Sequence, residues 1–153
     1  MIEIDGSKGE GGGQIVRSSL ALAAVTGQEI LLRNIRSGRY TPGLLRQHLA
    51  GVRAMEKICN ANVIGAGLGA NEITFAPRNL LGGDYSFEVG SAGSAILVAQ
   101  TILPALLSAD SPSTVTVGGG THAAWAPPFD FFQRCYLPLL SKMGASVSAT
   151  IES

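Results

Sequence analysis

One order of features occurs twice along this chain, and any fold must accommodate both copies. Ile2-Glu3-Ile4 alternates like a short strand, and Gly9-Glu10-Gly11-Gly12-Gly13 follows it. A helical pattern runs from Gln14 to Val25 and closes on Gly27, a residue suited to the left-handed position after a helix. Glu29 to Ile35 is rich in branched and aliphatic residues and reads as a strand. Thr41-Pro42 pairs a capping residue with proline, so the spacing predicts a helix from Pro42 to about Asn60. Ile73-Thr74-Phe75 predicts a further strand. The second half repeats this order: strand Tyr85 to Val89, small-residue turn Gly90-Ser91-Ala92-Gly93, helix Ser94 to Ser108, strand Thr114 to Val117. Pro127-Pro128 then opens a second helix, and Val147 to Ile151 predicts a last strand.

The expected class is therefore α/β, of the α+β type. Two tandem β-α-β-α-β units cover residues 1–78 and 82–153, each with its alanine-rich helices packed on one sheet face. One mixed sheet built from both halves satisfies the same spacing. After each second helix, small polar residues give way to a β-branched one: Cys59-Asn60-Ala61-Asn62-Val63 and Met143-Gly144-Ala145-Ser146-Val147. Ser153 falls in or just after the last predicted strand, at a repeat boundary, so the chain is expected to be a fragment.

With 46% hydrophobic and 14% charged residues, disorder is excluded as an organising principle. The net charge of zero hides an asymmetry, because Met1–Arg78 carries nine Lys and Arg against six Asp and Glu. A first half at +3 and a second at −3 suits an anionic ligand without establishing one. Cys59 and Cys135 share no metal-ligand spacing and are expected to be core thiols. The start of the chain shows no signal peptide, and the apolar run Ala95–Leu107 is too short to span a bilayer. A soluble, cytoplasmic protein without membrane contact is expected.

Candidate chemistry clusters at helix starts. The glycine run is neither a Walker A loop nor G-x-G-x-x-G, since Gln14 stands where the third glycine would be. It reads either as a tight strand-to-helix turn or as a row of N–H groups able to receive an anion. Glu10 opposes a phosphate resting directly there unless a divalent cation lies between them. Arg17 lies one turn into the first helix, Arg36 and Arg39 flank Ser37-Gly38, and Arg46, Gln47 and His48 follow in the second helix. Singly these are solvated surface cations; convergent at two helix starts, they suit phosphate oxygens. His48 falls on the apolar stripe with Leu45, Leu49, Val52, Met55 and Cys59, the place of a buried, hydrogen-bonded histidine. His122 sits in a loop with no visible partner. Gln100 is a long amide in an apolar helix, and Pro104 cannot donate to its carbonyl. A kink is expected there, with Gln100 facing either solvent or a ligand cleft.

These residues resemble the RNA 3′-terminal phosphate cyclase family. The likeness is carried by Gly9-Glu10-Gly11-Gly12-Gly13-Gln14-Ile15-Val16-Arg17, Arg36-Ser37-Gly38-Arg39, Pro42-Gly43-Leu44-Leu45-Arg46-Gln47-His48 and Gly82-Gly83-Asp84-Tyr85. Gly90-Ser91-Ala92-Gly93-Ser94, Gln100-Thr101-Ile102-Leu103-Pro104, Gly119-Gly120-Thr121 and Ala126-Pro127-Pro128 complete it in order. The resemblance implies ATP-dependent conversion of an RNA 3′-phosphate to a 2′,3′-cyclic phosphate through enzyme-AMP and RNA-adenylate intermediates, a ligase-type RNA-processing activity. It implies Glu10 near a divalent metal (magnesium or manganese), Arg17, Arg36, Arg39, Gln47 and His48 at the RNA phosphate, and Gln100 at ATP.

The resemblance also marks departures. The family's adenylylated histidine lies near its far C-terminus, and neither His48 nor His122 matches it. A later repeat and an inserted small domain are missing too. This chain alone is therefore expected to be inactive and to need the missing C-terminal portion of the same polypeptide as a partner. The alternative class is a non-catalytic cyclase-like RNA-binding or ribosome-assembly module, in which the Gly-Glu-Gly-Gly-Gly-Gln motif is altered; here it is intact. The enolpyruvate transferases share the repeat fold but offer no counterpart to Arg46-Gln47-His48.

Overall fold

A computed structural model of the chain describes residues 1–90 and 93–152. The Ser91-Ala92 part of the small-residue turn lies outside the described residues. In the first half, β1 (Ile2–Asp5), α1 (Gly13–Thr26), β2 (Ile30–Arg33), α2 (Arg46–Ile58), β3 (Asn62–Ile64) and β4 (Ile73–Ala76) follow in order. They form a four-stranded sheet, β1-β2-β4-β3, in which β1 and β2 are parallel and β4 runs antiparallel to both its neighbours. The short β3 adds an edge to the expected β-α-β-α-β order, beginning at the β-branched restart after Cys59. Ile30 and Leu32 of β2 and Ile73 and Phe75 of β4 project from one face and are buried. They meet Val16, Leu20 and Ala23 of α1 and Val52, Met55 and Ile58 of α2, so period-two and period-3.6 patterns converge on one core.

The second half contains β5 (Asp84–Glu88), α3 (Ala95–Leu107) and β6 (Thr114–Gly118), with β5 and β6 parallel. This β-α-β crossover matches β1-α1-β2. Ile102 and Ala105 of α3 enter the first half's core, so the three long helices pack together and join the halves. Pro104 lies inside α3 without ending it, and the Ser108 hydroxyl donates to the Pro104 carbonyl at 2.9 Å. Beyond Pro127-Pro128 come α4 (Phe129–Phe131), a π-helical turn (Phe132–Tyr136) and α5 (Leu137–Lys142). Pro138 has no N–H for the Arg134 carbonyl, and an interrupted ladder accommodates the wider turn.

Three expectations are corrected. The second helix starts at Arg46, not Pro42, because residues 41–45 are held in a non-helical path. Gly43 N–H donates to the Ile35 carbonyl at 2.8 Å, Leu44 N–H to the Ala70 carbonyl at 3.0 Å, and Gly43 has φ +77°. Val147–Ile151 forms no strand among the described residues, since no strand lies beside it to pair with. Cys59 is buried, which pushes its thiol up to about 12, whereas Cys135 is exposed because the π turn aims Phe132 inward. No helix among the described residues is long and apolar enough to cross a membrane.

A Cβ at Gly43 would run into the Gly69 backbone and require a left-handed φ. Gly43→Ala is expected to destabilise the fold by about 2 kcal/mol or more. Denaturant unfolding checks this; an unchanged midpoint would show that the 41–45 segment does not constrain the start of α2.

Candidate functional site

The glycine run leaves β1 and enters α1 directly. Gly11 has φ +57°, and Gly12 is extended immediately before the helix. No side chain caps α1, so its first N–H groups face the region where the cations gather. Arg39 donates to Glu10 across 2.6 Å, closing the 36–39 loop onto the glycine run. A Cβ on Gly12 would lie 2.9 Å from Arg39 Nη2. A Cβ on Gly13 would collide with the His48 ring and sit 3.2 Å from Arg17 Nη1. Glycine is required there for close approach rather than for an unusual φ.

His48 is buried on the third residue of α2, and its Nδ1 accepts the Leu45 N–H at 3.1 Å. That bond places the neutral ring's proton on Nε2, beside Gly13. Burial, then the charges of Arg36 and Arg17, push its pKa down to about 4. Arg17 also donates to Gln14 Oε1 at 3.1 Å, and burial lowers its pKa without threatening its charge. Arg36, with φ +52°, donates to the carbonyls of Thr41 and Gly43 at 2.7 and 2.8 Å. It thereby holds the segment that starts α2, while burial and then Arg39 lower its pKa.

The structure thus brings Glu10, Arg17, Arg36, Arg39 and His48 around the first turn of α1. Gln47 turns to the other half instead, where its Oε1 accepts the Ser94 N–H at 2.8 Å. Arg46, on the same turn, donates to the Gly90 carbonyl at 3.0 Å, so both residues brace the approach to α3. Gln100 is half-buried on α3, and its amide makes no hydrogen bond to a described residue. No hydrogen bond between described residues ties it to the arginine cluster. Among the described residues no group of three His, Cys, Asp or Glu could enclose a metal. Glu10 suits an ion that takes most of its oxygens from phosphate and water, as magnesium does.

His122, expected to lack a partner, has two. Its Nε2 lies 3.2 Å from Asp130 Oδ2 and its Nδ1 lies 3.0 Å from Thr121 Oγ1. The His122 hydrogen bond is the main cause holding the Asp130 carboxyl below its ordinary pKa. Sequence could not reveal this pairing, because the Pro127-Pro128 turn between the two residues has no fixed geometry. The roles of Arg46 and Gln47 as ties between the halves were equally hidden, since Gly90 and Ser94 lie on a different repeat.

Gly13→Ala is expected to displace the His48 ring and cost about 1–3 kcal/mol, readable by thermal unfolding. A second expectation concerns pH. The folded His48 resists protonation while the unfolded one titrates near 6.5, so its contribution is complete above that pH and is lost as pH falls toward 4. The loss amounts to about 3 kcal/mol. His48→Gln should flatten the stability profile between pH 7 and 5, and an unaltered slope in that variant would contradict the assignment.

The family model described as RNA 3′-terminal phosphate cyclase matches residues 8–153. The RNA 3′-terminal phosphate cyclase of Koribacter versatilis (strain Ellin345) is 54% identical over 152 residues. That match covers 99% of this chain and 43% of the relative, so the chain spans less than half the relative's length. With the match running through both halves and every residue of the cluster, this chain belongs to the RNA 3′-terminal phosphate cyclase family.

Proposed function

We propose that this chain supplies the RNA-end part of an ATP-dependent RNA 3′-terminal phosphate cyclase, which converts a 3′-phosphate to a 2′,3′-cyclic phosphate. The observation that carries the reading is the convergence of Arg17, Arg36, Arg39 and neutral His48 on the uncapped first turn of α1. A terminal phosphate there meets guanidinium donors, the partial positive charge of the helix start and a neutral imidazole. An anion between Arg17 and Arg36 offsets the repulsion that depresses His48, so binding couples to proton uptake. Glu10 is the chain's ligand for a divalent cation, which would neutralise phosphate charge when bound. Gln100 is the nucleotide contact, since it is half-buried and its side chain makes no hydrogen bond to another described residue, which suits it to bond a base or ribose. Gln47 belongs to the same set as a positioning residue, holding the start of α3 through Ser94.

Neither histidine is read as the adenylylated nucleophile. His48 is buried with Nδ1 committed to Leu45, and His122 is held between Thr121 and Asp130. The enzyme-AMP step thus falls to a histidine in the C-terminal portion of a longer polypeptide, and a cytoplasmic, RNA-processing setting goes with this reading.

The test is an anisotropy titration with one short RNA carrying either a 3′-phosphate or a 3′-hydroxyl. The 3′-phosphate form is expected to bind tighter, and Arg39→Ala should reduce the logarithmic salt slope by about one. Incubation with α-labelled ATP and magnesium should leave no protein-bound label until the rest of a cyclase is added. Equal affinity for both RNA ends, or stable labelling of His48 or His122, would overturn the reading.

A further inference from the structure

One large aromatic residue stands at the edge of the arginine cluster and packs against nothing. Tyr40 follows Arg39 directly and is 105% exposed, as open to water as in an isolated peptide. Its side chain makes no hydrogen bond or ring contact with another described residue. A single exposed aromatic needs no explanation by itself. Here, however, the backbone that carries it is held far more firmly than an idle surface ring requires.

The Arg36 carbonyl accepts the Arg39 N–H at 3.0 Å, closing a tight turn immediately before Tyr40. Immediately after it, the Arg36 guanidinium donates to the Thr41 carbonyl at 2.7 Å and to the Gly43 carbonyl at 2.8 Å. Pro42 fixes its own φ and biases Thr41 toward extended conformations. Gly43 N–H then ties the segment to the Ile35 carbonyl at 2.8 Å. Tyr40 is thus mounted between two anchored residues, with χ1 and χ2 as its remaining freedoms, so ordering its ring costs little.

The mount also faces the right way. Arg39 turns back to Glu10 and Gly12, whereas Tyr40 projects into solvent. The inner side of the cluster is closed by the first turn of α1 and the buried His48. The nucleoside attached to a phosphate bound there must therefore extend toward solvent. Consecutive Cα atoms lie about 3.8 Å apart, so a nucleotide whose phosphate meets Arg39 has its base within reach of the next side chain. Proteins that hold single-stranded RNA pair cations for the backbone with aromatic faces for the bases, and this rim offers both.

We infer that Tyr40 is the platform on which the last base of the RNA stacks when its 3′-phosphate occupies the arginine site. The ligand is a single-stranded 3′ end, held face to face with the phenol ring and with no hydrogen bond that reads the base edge. Stacking strength then favours purine over pyrimidine at the last position. Because Arg36 anchors Tyr40 and also belongs to the phosphate cluster, one guanidinium sets the spacing between platform and phosphate. The inference rests on the RNA-end reading, and its test separates the two.

The experiment titrates the chain by anisotropy with four short RNAs of one sequence. They carry a 3′-phosphate or a 3′-hydroxyl, and adenine or an abasic ribose at the last position. With a 3′-phosphate, the adenine end is expected to bind about fivefold tighter or more than the abasic end. Tyr40→Leu keeps an apolar side chain without a ring face and should abolish that preference, whereas Tyr40→Phe should retain it. Fluorescence of 2-aminopurine at the last position should be quenched on binding to the unaltered chain and to Tyr40→Phe, but not to Tyr40→Leu. The ring touches nothing, so the melting temperature of Tyr40→Leu should be unchanged and the lost preference reports the base rather than the fold. Equal affinity for adenine and abasic ends would overturn the inference, and is the result expected if the ring instead packs on the rest of a longer cyclase. An adenine preference that survives in Tyr40→Leu, or is lost in Tyr40→Phe, would overturn it as well. A phosphate preference without a base preference sinks the platform and leaves the RNA-end reading standing, while a base preference that follows Tyr40 without a phosphate preference does the reverse. Failure of all four RNAs to bind would overturn both.

Discussion

The approach of Gly13 to the His48 ring is the contact on which the site depends. It joins the first turn of α1 to the first turn of α2 with no side chain between them, and both helices enter the core immediately afterwards. Because α1 follows the glycine run and α2 follows the arginine loop, bringing these starts together brings Glu10 and Arg17 beside Arg36 and Arg39. A larger residue at position 13 would separate the helices that bury Val16, Leu20, Val52 and Met55. Packing and charge placement are therefore one constraint here.

The electrostatics follow from that closeness. Three guanidinium groups gather here, and among the described residues the carboxylate paired with them is Glu10, in an exposed ion pair with Arg39. Such a pair contributes little to stability and is readily exchanged. Arg36 is occupied differently, since it satisfies two carbonyls of the 41–45 segment and so sets where α2 begins. His48 stays neutral because it is buried among these cations, which suits a hydrogen-bond donor to phosphate rather than a nucleophile.

Much of the fold was legible because its signals are local. Alternation located β1 and β5, branched and aliphatic content located β2, and glycine and proline punctuation located α1 and α4. What the sequence concealed depends on long-range partners. The Thr41-Pro42 signal is a sound local cap, yet hydrogen bonds to Ile35 and Ala70 override it and delay the helix to Arg46. Val147–Ile151 has the alternation of a strand without a neighbour to pair with, and Cys135 sits in a helical pattern that a π turn rotates outward. In the site, the arginines were recognisable from their places at helix starts. The division of labour between His48, facing α1, and Gln47, facing α3, needed the three-helix arrangement.

The central claim is that a neutral, buried His48 completes a phosphate site with the surrounding arginines. Nitrogen-detected NMR of the His48 imidazole during titration with a 3′-phosphorylated oligonucleotide tests it most directly. Before addition the account predicts an Nε2-protonated ring that titrates near 4, and on addition a ring shift with a raised pKa. A ring that titrates near 6.5 in the free chain, or one indifferent to the oligonucleotide, would contradict it.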